Sequence, residues 1–131
     1  MLDAYGGSCC ITGMKEPRLL RASHIKPWCE STGIERLDVR NGLCLNALHD
    51  VAFDVGLITV DPGSYCVRLS SSIEDAMDRD VYDSYFRKYD GKEIDIPKKK
   101  LAPNPEYLEY HRHNIFNKGR FYDRLEIELL N

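Results

Sequence analysis

The 131-residue chain lacks any apolar run near the ~20 residues a membrane-spanning helix requires. Its first residues carry no basic segment followed by an apolar stretch, the pattern of a secretory signal. There is no internal repeat and no low-complexity segment. A C-x-x-C pair is also missing. The five cysteines, Cys9, Cys10, Cys29, Cys44 and Cys66, are odd in number and scattered, which argues against a disulfide framework and a four-cysteine zinc site. They read as small buried hydrophobes in a reducing compartment, so the expected location is cytoplasmic, with no membrane partner. A large excess of one charge is absent too. Eighteen basic against 21 acidic residues give −3, which disfavours a generic polyanion binder.

What remains is one soluble domain's worth of chain, 43% apolar and 30% charged. Its charge is uneven. Residues 1–50 hold six acids and six bases, 51–95 ten acids and five bases, and 96–131 five acids and seven bases. Contact with a nucleic acid would therefore fall to the two ends of the chain.

Local signals punctuate the sequence. Residues 1–5 read as a last helical turn closed by Gly6-Gly7, an abrupt start that suggests a piece of a longer protein. Ser8–Thr12 and Leu19–Ile25 are rich in apolar or β-branched residues around a turn, which predicts an antiparallel pair ended by Pro27. A polar loop over 28–40 and a short strand over Leu43–Leu45 follow. Asn46 then caps a helix running to Val55, with Gly56 as its stop. Leu57–Val60 and Tyr65–Leu69 predict a hairpin about Asp61-Pro62-Gly63-Ser64. Ser71 with Glu74 predicts a capping box for a helix reaching Tyr89, and Asn104-Pro105 opens another ending near Gly119.

Chemistry concentrates between residues 22 and 57. His24 lies near a strand end, before a Pro-limited loop, where a side chain can face a cleft. On the helix after Asn46, Leu48, Val51, Ala52 and Val55 obey the i, i+3, i+4, i+7 rule and form the expected core stripe. Asp50 and Asp54 are i, i+4 neighbours, about 5–6 Å apart at Cβ. Two carboxylates so close repel unless a cation lies between them. A solvated acidic face is the alternative reading of that pair.

His24, Asn41 and the His49-Asp50 pair, within "ASHIKPW", "NGLCL", "LHD" and "AFD-x-GL", resemble the signature of the HNH endonucleases, in a subgroup similar to HNH domains of restriction-endonuclease-like proteins. The resemblance covers 9–61 closely, and "LAPNPEYLEYHRHNIF" extends it weakly to about residue 116. It implies an α+β fold: a ββα-metal core with an additional β-hairpin and two to three C-terminal helices. The chain would be a single nuclease domain over 1–131, with its motif core at 9–61 and a helical extension at 71–131. His24 takes the general-base position and Asn41 the middle position that braces the loop carrying the base. The helix would supply ligands for one divalent cation. Products would carry a 5′-phosphate and a 3′-hydroxyl.

This sequence departs from its relatives at two places. Many place Asp or His just before the general base as a ligand, where this chain has Ser23. Helical ligands in familiar members lie nine and thirteen residues after the middle Asn, which selects Asp50 and Asp54, whereas His49 lies at plus eight. Matching by letter selects His49 instead. The expected ligands are the two aspartates, with His49 a third ligand or a phosphate contact. Oxygen ligands suit Mg²⁺ or Mn²⁺, and no structural zinc is expected.

Arg36 and Arg40 on the loop, with Lys26, are candidate contacts to a DNA backbone. Lys98-Lys99-Lys100 is a second candidate, with a solvated loop as the alternative. Trp28 reads as a packing residue, and Tyr82, Tyr85, Phe86 and Tyr89 as core. His111 and His113 point to different helix faces and do not form a metal pair. The expected function is a metal-dependent DNA endonuclease. Alternatives are a non-catalytic DNA-binding module of the same fold, or a nuclease effector switched on by a fused sensor. Partners would be DNA, a recognition or sensor domain outside this chain, and a second copy in a homodimer.

Overall fold

A computed structural model of the chain describes residues 2–117. Strand β1, Leu20–His24, pairs antiparallel with β2, Gly42–Asn46, in the register Leu20 opposite Asn46 and His24 opposite Gly42. This corrects the expected pairing of β1 with Ser8–Thr12. That segment curls on itself, with the Gly13 amide on the Cys9 carbonyl at 2.9 Å and Gly13 at φ +79°. It touches β2 through one backbone bond, from the Cys10 amide to the Cys44 carbonyl.

The loop between the strands is ordered. It holds a short turn at Trp28–Glu30, helix α1 at Gly33–Leu37 and another turn at Val39–Asn41. Helix α1 starts at a capping box: the Thr32 hydroxyl accepts from the Glu35 amide, and the Glu35 carboxylate accepts from the Thr32 amide. The Thr-x-x-Glu spacing announces it.

Helix α2, Ala47–Asp54, follows β2 directly, with the Asn46 side chain accepting from the His49 amide. It packs across β1 and β2, completing a β-β-α unit. Its inward face differs from expectation. His49, Ala52 and Phe53 are buried, while Leu48 and Val51 are 47% and 56% exposed. The same i, i+3, i+4 rule holds, started one residue later. The cause lies in what covers α2: the His49 ring meets Phe86 and Tyr89 edge-on, and Phe53 stacks on His111 with centroids 3.6 Å apart.

Strands β3, Ile58–Val60, and β4, Val67–Leu69, form the expected hairpin. Helix α3 spans only Arg79–Tyr85, later than the Ser71 cap predicts. Ser70 and Ser72 hydrogen-bond each other there and hold a turn instead. Tyr82 and Phe86 are buried as expected, but Tyr85 is exposed. Helix α4, Pro105–His111, is capped by Asn104 and runs on as a π-helical segment, Arg112–Phe116; its expected end near Gly119 lies outside the described residues. The mixed α and β architecture, with a hairpin and C-terminal helices, is the expected one. No helix among the described residues is long and apolar enough to cross a membrane.

Candidate active site

His24 ends β1, and its neighbours fix its ring. Its Nε2 lies 3.1 Å from the Arg36 carbonyl. A carbonyl only accepts, so Nε2 carries the proton and Nδ1 keeps the lone pair. The carbonyl is presented by α1, and Asn41 sets the position of that helix. Fully buried, Asn41 donates through Nδ2 to the Glu35 carbonyl at 3.0 Å and accepts at Oδ1 from the Lys26 amide at 2.8 Å. One side chain thus ties both ends of the loop.

His24 shares a cleft of about 500 Å³ with Ala22, Ser23, Pro27, Trp28, Cys29, Asp50, Val51 and Asp54. The two aspartates line it from α2, and Ser23 lines it from β1. Burial pushes the Asp50 carboxyl above its usual range; the charge of Asp54 adds to that, while Ser23 and Arg21 work against it. A half-buried carboxylate beside a second, exposed one is an arrangement that a cation relieves.

His49 is placed elsewhere. It is 3% exposed and absent from the cleft lining. Its Nδ1 accepts from Asn46 Nδ2 at 3.0 Å, and its Nε2 donates to the Tyr85 carbonyl at 2.7 Å. One nitrogen is used by the cap of α2 and the other in packing α2 against α3, so the structure does not bring His49 to a ligand or phosphate position.

The expected DNA-contacting cations are also engaged. Lys26 pairs with Glu35 at 2.9 Å, Arg40 donates to the Ala102 carbonyl at 2.9 Å, and Arg36 donates to the Trp28 carbonyl at 2.8 Å. Trp28, expected as a packing residue, packs its ring against His24 and walls the cleft beside it while 55% exposed. The "PW" following the strand is the signal that could have placed it there, since Pro27 turns the chain at the mouth of the cleft.

Among the described residues, no three His, Cys, Asp or Glu side chains converge as a ready-made metal cage. Two carboxylates nevertheless fit a hard divalent ion of the Mg²⁺ class, which takes one or two protein carboxylates and completes its shell with water and substrate phosphate.

No curated protein matches the chain. Among solved structures, a protein described as "Modification dependent TagI restriction endonuclease" has a similar fold at 16% identity and a TM-score of 0.58. The match covers 87% of this chain and 35% of that one, so the chain spans about a third of that protein's length. The family described as HNH endonuclease matches residues 9–61, the stretch that holds His24, Asn41, Asp50 and Asp54. By that match, this β-β-α segment is similar to the HNH endonucleases.

Proposed function

We propose that the chain is a DNA endonuclease domain that hydrolyses phosphodiester bonds, with His24 as general base and Asp50 and Asp54 as holders of one divalent ion. The observation carrying this reading is that a histidine with an oriented lone pair shares one cleft with two carboxylates on a facing helix. His24 Nδ1 accepts a proton from water as the water oxygen bonds to phosphorus. The phosphorus–O3′ bond breaks on the opposite side, and the leaving oxygen takes a proton from solvent. Asn41 does not touch the reacting atoms; it holds Glu35, next to the Arg36 carbonyl that His24 meets, and Lys26, and so braces the His24 ring. A divalent ion on Asp50 and Asp54 would neutralise charge on the scissile phosphate and the leaving oxygen.

The decisive experiment is nicking of supercoiled plasmid in Mn²⁺ or Mg²⁺. His24→Ala should lower the rate by about 10²-fold or more. Its DNA affinity and melting temperature should match wild type. A near wild-type rate removes His24 from the base role. No cleavage by the wild-type chain under any divalent ion, with DNA binding intact, supports instead a binding module of the same fold.

A further inference from the structure

Trp28 and Arg36 form a closed circuit with His24. The Arg36 guanidinium sits over the Trp28 ring, 4.6 Å from its centroid, and its Nε donates to the Trp28 carbonyl. The Arg36 carbonyl takes the His24 Nε2 proton. The His24 ring meets Trp28 edge-on, with centroids 5.3 Å apart and planes at 75°. Each residue touches the other two: Arg36 and Trp28 through both backbone and ring, His24 through the Arg36 backbone and the Trp28 ring.

We infer that Trp28 and Arg36 are positioning residues, a clamp that sets the tautomer and orientation of His24, and that Arg36 is not primarily a phosphate contact. The inference rests on His24 being the base. Its physical basis is the planar guanidinium: only Arg can stack on an indole and donate through Nε at the same time. Lysine keeps the charge but cannot make the planar stack and the Nε bond together. A phosphate contact would behave in the opposite way, because it depends on charge and tolerates lysine as a point charge.

Two substitutions separate these roles. Arg36→Lys and Arg36→Met should lower kcat alike, by about tenfold or more, as expected when a reacting group is misplaced. DNA Kd and the salt dependence of binding should stay within twofold of wild type in both. Loss of affinity in Arg36→Met that Arg36→Lys restores, with kcat unmoved, overturns the clamp. Nitrogen-15 spectra of the His24 ring, recorded without DNA or metal, give a readout independent of cleavage. Wild type should show the Nε2–H tautomer, and Arg36→Lys a mixture of the two. A wild-type ring protonated at Nδ1 overturns the inference without any variant. Trp28→Phe, the milder change, should give an intermediate tautomer mixture, and a spectrum identical to wild type would remove Trp28 from the clamp. Failure of His24→Ala to lose activity would instead refute the base assignment, whatever the tautomer.

Discussion

Asp50 is held where its charge is costly without a counter-ion. An aspartate ordinarily titrates at about 3.9, and burial beside Asp54 raises it. Between the ordinary and the raised value the native state binds more protons than the unfolded state, so stability falls as pH climbs through that window. Asp50→Asn should therefore raise the metal-free melting temperature at pH 7, and the gain should vanish below the ordinary aspartate range. The same variant, and Asp54→Asn, should weaken Mn²⁺ binding more than His49→Ala does. Calorimetric titration with Mn²⁺ checks this; equal weakening by His49→Ala would return the histidine to the ligand set. The aspartate pair was legible because helical periodicity places i and i+4 on one face whatever that face meets. The fate of His49 was not, because Phe86, Tyr89 and the Tyr85 carbonyl come from far along the chain.

Helix α2 is pinned at both ends. At its start, Asn46 caps the His49 amide and donates to the His49 ring. At its end, Gly56 has φ +83°, and a Cβ there would meet the Ile115 carbonyl oxygen at 2.5 Å. Gly56→Ala faces both a left-handed backbone, about 1–2 kcal/mol for an L-residue, and a clash with main chain that cannot rotate aside. It should cost clearly more than that backbone term alone in chemical denaturation. His49→Ala should destabilise by about 2–4 kcal/mol, through a cavity and unpaired neighbours. The Asn-to-Gly bounds of this helix could be read directly, since cap and stop are local chemistry. The strand partner of β1 could not, because Ser8–Thr12 and Leu43–Leu45 carry similar apolar signals. Only the Gly13 turn, which folds the first segment back on itself, decides between them.

Lys26, Arg36 and Arg40 each have an internal partner, so on the proposed reading a duplex would draw on further cations of the molecule. Arg40 joins Ala102, two residues beyond the exposed Lys98–Lys100 run, so that run flanks the loop between β1 and β2. Replacing the three lysines together by alanine should flatten the slope of log K against log salt by up to two or three phosphates' worth, at about 0.9 per contact. Arg36→Met should leave the slope unchanged. A triple-lysine variant with the wild-type slope would move the DNA path to another face. At this scale the sequence was least informative: the charge census was correct, but which cations are spoken for depends on carbonyls brought close by folding.

The Ile25 amide ends on the Asn41 carbonyl, and the Lys26 amide on the Asn41 side chain. Two successive protons on the strand exit therefore report on one residue across the loop. In hydrogen–deuterium exchange they should open together, as a unit, in the native protein. Asn41→Ala should release Lys26 by about tenfold or more, one lost hydrogen bond's worth. The Asp61 amide, bonded to the Cys66 carbonyl in the hairpin, should keep its protection. The brace behind His24 thus has its own spectroscopic clock, readable before any substrate is known.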